Sequence, residues 1–218
     1  MENQSDAAHE MEQLSMLYAN TIFALRESRK HLLKRYEVAA EAELLERIRE
    51  GELASHPAYE HYLSALIVEQ TRLMVRAQAA QHLGGGQAID DADVSVHLML
   101  KDRIDEHYAD RLAEPARMAQ DALLLSFDTD LMIEVRYLSK DEYSIGWSWG
   151  EAELRIDTAP VHPQLASFPR HLHDHGGALR PDPVSRAGGD CWINLSGLID
   201  RLLVDPLLEA GNGVRQES

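Results

Sequence analysis

The chain has 218 residues, 44% apolar and 27% charged, with a formal net charge of −16 at pH 7. That size and composition suit one large or two small globular domains, and the acidic balance works against nonspecific attraction to nucleic acid. The single cysteine, Cys191, excludes an intramolecular disulfide and a cysteine-based zinc site within one chain.

From the N-terminus, no basic segment leads into an apolar run, and no window of about 18 apolar residues follows, so neither a secretion signal nor a membrane span is expected and a cytoplasmic location is. Leu14, Leu17, Ile22, Leu25, Leu32 and Tyr36 recur at helical spacing and predict an amphipathic helix over 14–36. Within it Arg26, Lys30 and Lys34 stand every four residues on one face, which suits a solvated face, an acidic partner or RNA. Leu44, Leu45 and Ile48 predict a shorter helix ending at Gly51, where a residue of positive φ is wanted. Ser55-His56-Pro57 reads as the entry to a third helix reaching about His82.

Gly84-Gly85-Gly86 lacks a Walker lysine and a preceding strand, so it reads as a connection and not as a phosphate cradle. Asp90, Asp91 and Asp93 then precede Val94, Leu98, Ile104, Tyr108 and Leu112, which predict a fourth helix with acidic groups at its positive end. Four helices with short connections predict an antiparallel bundle. After Pro115 the apolar period falls to two: 122–127, 131–138, 143–149 and 152–157 read as a strand meander with one wet and one packed face. Trp147 and Trp149 share a strand face and are expected in the core, with base stacking as the alternative. Leu195, Leu198, Ile199 and Leu202 predict a covering helix before Pro206.

The expected fold is therefore α+β: an N-terminal antiparallel helical bundle over 1–118, then a small antiparallel β-meander with a C-terminal helix over 119–205. A disordered tail is expected over 206–218.

Chemistry concentrates in GEAELRIDTAPVHPQLASFPRHLHDHGG, residues 150–177. Pro160, Pro163 and Pro169 stiffen this stretch and bias the residues before them away from helix, so its histidines are displayed at defined places. His162, His171 and His173 are candidate proton carriers, Asp157 a candidate orienting carboxylate, and Arg155 and Arg170 candidate phosphate-binding cations. A metal site would use His171 and His173 with Asp174 or His175; without Cys or Glu beside them to close a tetrahedral set, no bound metal or other cofactor is expected. The bland alternative is that these groups make ordinary turn hydrogen bonds and ion pairs.

The string R-I-D-T-A-P-V-H-P followed by F-P-R-H-L-H resembles the TumE-like family of toxin–antitoxin components, whose pattern reads R-Y-D-x-A-P-H-H-P and F-P-H-H-x-H. The resemblance covers about residues 120–205 and leaves the N-terminal helices unrecognised; Ile156, Val161 and Arg170 depart from it. It implies a toxin acting on RNA and neutralised by a protein partner. Two function classes stand open. One is an RNA-directed, metal-independent ribonuclease using the histidine loop. The other is a noncatalytic assembly subunit with a partner-binding helical bundle, open to self-association.

Overall fold

The computed structural model describes residues 2–84, 95–186 and 188–209. Three helices open the chain, α1 (Glu2–Arg35), α2 (Glu41–Arg49) and α3 (Ser55–Gly84), followed by α4 (Val96–His107). Seven strands follow: β1 (Leu112–Met118), β2 (Leu123–Phe127), β3 (Leu131–Tyr137), β4 (Tyr143–Trp149), β5 (Ala152–Asp157), β6 (His171–His173) and β7 (Leu179–Pro181). Helix α5 (Cys191–Leu202) closes the fold. The α+β architecture of helical bundle, antiparallel meander and C-terminal helix is the one expected. Every strand pairs antiparallel with the next in sequence order. No helix of the described residues is long and apolar enough to cross a membrane.

Helices α1 and α3 run antiparallel, with Tyr36 beside His61 at one end and Tyr18 beside His82 at the other. Between them Leu33, Leu44, Ile48 and Leu63 are buried together, so the apolar stripes of α1, α2 and α3 form one core. Gly51, at φ +74°, takes the left-handed position after α2 that its sequence place predicted. Helix α1 begins well before Leu14, because the apolar stripe that marks a helix in sequence need not extend over its solvated first turns.

Helix α4 corrects the expected four-helix bundle. Leu100, Ile104 and Tyr108 pack with the sheet strands and α5, not with α1–α3. An amphipathic stripe demands an apolar partner but does not name it. The expected change-over at 115–120 also moves: β1 already spans Leu112–Met118, and Pro115 is tolerated there because β1 is an edge strand and the proline falls within the register irregularity between Glu114 and Arg117. The calls on Gly85, Gly86, Asp90, Asp91, Asp93 and Val94 fall outside the described residues.

One sheet face is sealed by α4 and α5. Leu195, Leu198, Ile199 and Leu202 are wholly buried against it, each contributing about 1.5–3 kcal/mol through the apolar surface it removes from water. Asp190 caps α5 by accepting from the backbone N–H of Trp192 and Ile193. Trp147 joins this core and donates from Nε1 to the Pro206 carbonyl at 2.8 Å, whereas Trp149 lies outside it and is 40% exposed. Leu208 is buried on the same core, so the expected tail is packed as far as that residue, Glu209 is exposed, and 210–218 lie outside the described residues.

The other sheet face is polar and is met at one end by α3. Tyr59 Oη and Thr158 Oγ1 are 2.9 Å apart, and Ser64 and Arg136 share Asp121. Register orders this face into rows. Arg136, Ser144, Asp157 and His171 lie across β3, β4, β5 and β6, and Glu134, Gly146, Arg155 and His173 form the adjacent row.

Candidate functional site

Those two rows build the site. Residues 155 and 157 point to the same face because strand side chains alternate, and 171 and 173 do so on the neighbouring strand. Pairing Arg155 with His173 and Asp157 with His171 therefore sets four polar side chains in a square. The loop between β5 and β6, with its prolines, returns the chain in that register.

Asp157 is the hub. It is 1% exposed, and its Oδ1 accepts from the Ala159 backbone N–H at 2.9 Å. Arg155 Nε lies 2.8 Å from Oδ2. His171 Nε2 lies 3.1 Å from Oδ1, and His173 Nε2 3.3 Å from Oδ2. Burial alone would raise the Asp157 pKa, but the adjoining His171, His173 and Arg155 outweigh it and hold the carboxyl well below its usual range. His171 is fully buried, and burial works against its charged form; the Asp157 contact prevails and its pKa is raised.

Both imidazoles are at contact distance from the carboxylate, yet neither Nε2 has hydrogen-bonding geometry toward any partner among the described residues. The oxygens lie off the line of the nitrogens. His171 is anchored from its other side, with Nδ1 2.9 Å from the Pro169 carbonyl oxygen. One ligand atom from each of Asp157, His171 and His173 lies within 4.8 Å of the others.

His162 stands beside this set, its ring edge-on to His171 at 4.7 Å between centroids and 6.4 Å from His173. Burial, then the nearby His171 and His173, lower its pKa. The sequence reading thus placed His162, His171, His173, Asp157 and Arg155 in one neighbourhood, and the structure brings them together. Arg170 is turned away and donates to the Ser185 carbonyl. Asp174 is occupied with a turn, accepting from Gly176 and Ala178 and pairing with Arg180; His175 is exposed.

Glu60 on α3 is the group sequence reasoning missed. Its Oε1 lies 2.9 Å from Arg155 Nε and 2.9 Å from His56 Nδ1, while Oε2 is buried with no hydrogen-bond partner among the described residues. No local pattern around Tyr59-Glu60-His61 marks it. Only the docking of α3 on the sheet brings it to the site.

A groove of about 710 Å³ leads along the polar face to His173. Ser126, Met132, Gly146 and Ser148 contribute to its floor, with His56 and Glu60 at its α3 side. Gly146 leaves open space there: a Cβ would come no closer than 3.9 Å to the Leu154 carbonyl.

Compared with known proteins, residues 5–83 match the family described as the uncharacterized protein MJ0235 family. The matched stretch is α1–α3. This overturns the expected TumE-like kinship in both respects: the recognised segment is the helical one that the resemblance left out, and the family it is similar to is a different one. Nothing among the curated proteins or the solved structures matches the chain.

Proposed function

We propose that the protein is a hydrolase whose reacting centre is Asp157, His171 and His173 at the end of the groove. The observation that carries this reading is the convergence of two imidazoles on one buried carboxylate, with His173 also lining the groove. A structural ion pair needs one partner for a carboxylate; Asp157 already has Arg155 and a backbone N–H. Groups that can hold or move a proton beside a substrate-sized groove favour water activation.

The groove favours a carbonyl-centred substrate, an ester or amide in an extended polar chain, over a phosphodiester. Phosphoryl chemistry asks for cations directed at the transition-state oxygens. Arg155 is held between Glu60 and Asp157, Arg136 between Asp121 and Glu134, and Arg170 points elsewhere. Glu114 and Glu153 add negative charge to the groove walls, set against one further cation there, Arg117. These arrangements weigh against the RNA-directed nuclease expected from sequence, in which Arg155 and Arg170 would hold phosphate.

A panel of ester, amide and phosphodiester substrates, single-stranded RNA included, tests this reading. Hydrolysis of an ester or amide that falls at least about 100-fold in His173→Ala, in line with loss of a proton-transfer or water-activating group, is the expected result. No turnover, or turnover indifferent to that substitution, would remove the reading.

A second reading, an assembly role for α1–α3, is favoured by Met16, Leu17 and Phe23, each more than half exposed on α1. It is compatible with the first because these residues lie on the helical layer and the centre lies on the sheet.

A further inference from the structure

We infer that Asp157, His171 and His173 bind one divalent metal ion of the zinc class, with the remaining coordination positions facing the groove. The inference rests on the hydrolase reading for its role, though the ion's presence is argued from the geometry of the three groups.

Two buried imidazole nitrogens without a hydrogen bond are the first ground. A buried polar atom left unpaired costs about 1–3 kcal/mol, so such atoms are rare and each calls for an occupant. His171 Nε2 and His173 Nε2 are both in this state, although a carboxylate oxygen lies 3.1 or 3.3 Å from each. An imidazolium–carboxylate pair would turn its N–H onto the oxygen. Here neither nitrogen makes that hydrogen bond, and the ligand atoms of the three residues lie within 4.8 Å of one another.

Spacing is the second ground. Bonds of about 2.0–2.2 Å place neighbouring ligand atoms of a tetrahedral ion about 3.4 Å apart. The histidine–carboxylate separations, 3.1 Å from His171 to Oδ1 and 3.3 Å from His173 to Oδ2, are close to that value, and one ligand atom from each residue lies within 4.8 Å of the others. Two imidazoles and one carboxylate suit a borderline ion such as zinc, cobalt(II) or iron(II) better than magnesium or calcium, which prefer all-oxygen shells. Three protein ligands leave an open position, the pattern of a catalytic and not a closed structural site.

The surroundings supply the third ground. A ligating histidine ordinarily donates its other ring N–H to a carbonyl or carboxylate, which fixes the tautomer and the ring plane. His171 Nδ1 meets the Pro169 carbonyl oxygen at 2.9 Å, which leaves Nε2 as the free ligand atom. Arg155 and the Ala159 N–H orient Asp157 through one lone pair on each oxygen. Glu60 draws Arg155 from the other side and spreads its charge over two carboxylates, which reduces its repulsion of a cation.

The test uses the full-length protein, freed of metal with a chelator and titrated with zinc ion alone by calorimetry, and with cobalt(II) followed by absorption. We expect one equivalent of zinc, a cobalt spectrum of four- or five-coordinate intensity, and a loss of zinc affinity beyond about 100-fold in His173→Ala, larger than the 10–100-fold that second-shell changes bring. His173 is partly exposed, so this variant keeps the fold; Asp157→Asn, if folded by circular dichroism, should lose binding as well. No stoichiometric zinc, or zinc binding unchanged in His173→Ala, overturns the inference. Ester or amide turnover undiminished in metal-free protein would overturn it while leaving the hydrolase reading intact. Zinc binding lost in His173→Ala without turnover on any substrate would uphold the metal site and remove the hydrolase reading.

Discussion

Arg155 on β5 and Glu60 on α3 meet at 2.9 Å, both nearly buried, and through this pair the helical layer touches the Asp157 cluster. The same guanidinium nitrogen lies 2.8 Å from Asp157. One cation thus serves two carboxylates from separate layers, so the docking of α3 and the orientation of Asp157 are not independent.

Breaking this bridge from its two ends should have unequal costs. Glu60→Gln leaves Arg155 paired with Asp157, and the loss should be about 1.5–3 kcal/mol, that of a charged hydrogen bond. Arg155→Ala leaves Asp157 and Glu60 buried without their shared cation, for which about 3–5 kcal/mol is expected. Urea unfolding of both variants measures the difference. Equal and small losses would mean that the bridge is incidental to the docking.

His97 gives the protein an acid-sensitive core. The ring is 3% exposed, and its Nε2 accepts from the Tyr137 backbone N–H at 3.0 Å. Burial lowers its pKa from the ordinary 6.5 to about 4. Because the unfolded chain takes up this proton first, the contribution to stability is complete above pH 6.5 and falls away as pH drops toward 4. The whole change is about 3 kcal/mol at about 1.4 kcal/mol per pH unit. His97→Gln keeps an acceptor near the same place without titrating, so its stability should vary less with pH between 6.5 and 4 than that of the parent. Identical slopes for both proteins in that window would show that His97 does not carry the effect.

Much of this was legible in sequence. Ile133, Val135 and Tyr137 alternate with Glu134 and Arg136, and this alternation is the two-faced sheet itself. The stripe of α5 was equally plain. What periodicity could not supply was partnership: Leu100 and Ile104 mark α4 as amphipathic, but their burial against the strands is a tertiary fact. Strands β6 and β7, three residues each, are too short to show a period. The histidines stood out because prolines frame them, and Asp157 because it precedes that loop. Arg155 was read as a phosphate ligand because its second carboxylate, Glu60, lies far away in sequence on another layer.

Exposed apolar residues on α1 lead to a prediction about assembly. Met16, Leu17 and Phe23 are 55%, 62% and 57% exposed on a 34-residue helix. Large apolar side chains left open along one helix are commonly covered by a second chain. Mass measurement in solution should find a dimer whose fraction rises with concentration, and Leu17→Glu with Phe23→Glu should return it to monomer. A single monomeric mass at every concentration would count against the assembly role.

The last prediction concerns how the chain divides. We place the division between α3 and α4, where the matched family segment ends at residue 83, rather than at 115–120. The sheet's apolar cluster is drawn entirely from residues between Val96 and Leu208. The helical cluster is drawn from α1, α2, α3 and the segment joining them, and borrows only Leu138, Ala159 and Val161 from the sheet side. A fragment of residues 95–218 therefore keeps every member of its own core and should unfold cooperatively by circular dichroism. It should also be less stable than the whole chain. Removing α3 uncovers Ala159, deprives Thr158 of Tyr59 and leaves Arg155 without Glu60. If the centre belongs to the sheet alone, the fragment should still bind zinc, more weakly because Arg155 is no longer shared. A fragment without a cooperative transition would mean that the two cores form one unit and that α3 is required for the sheet to fold.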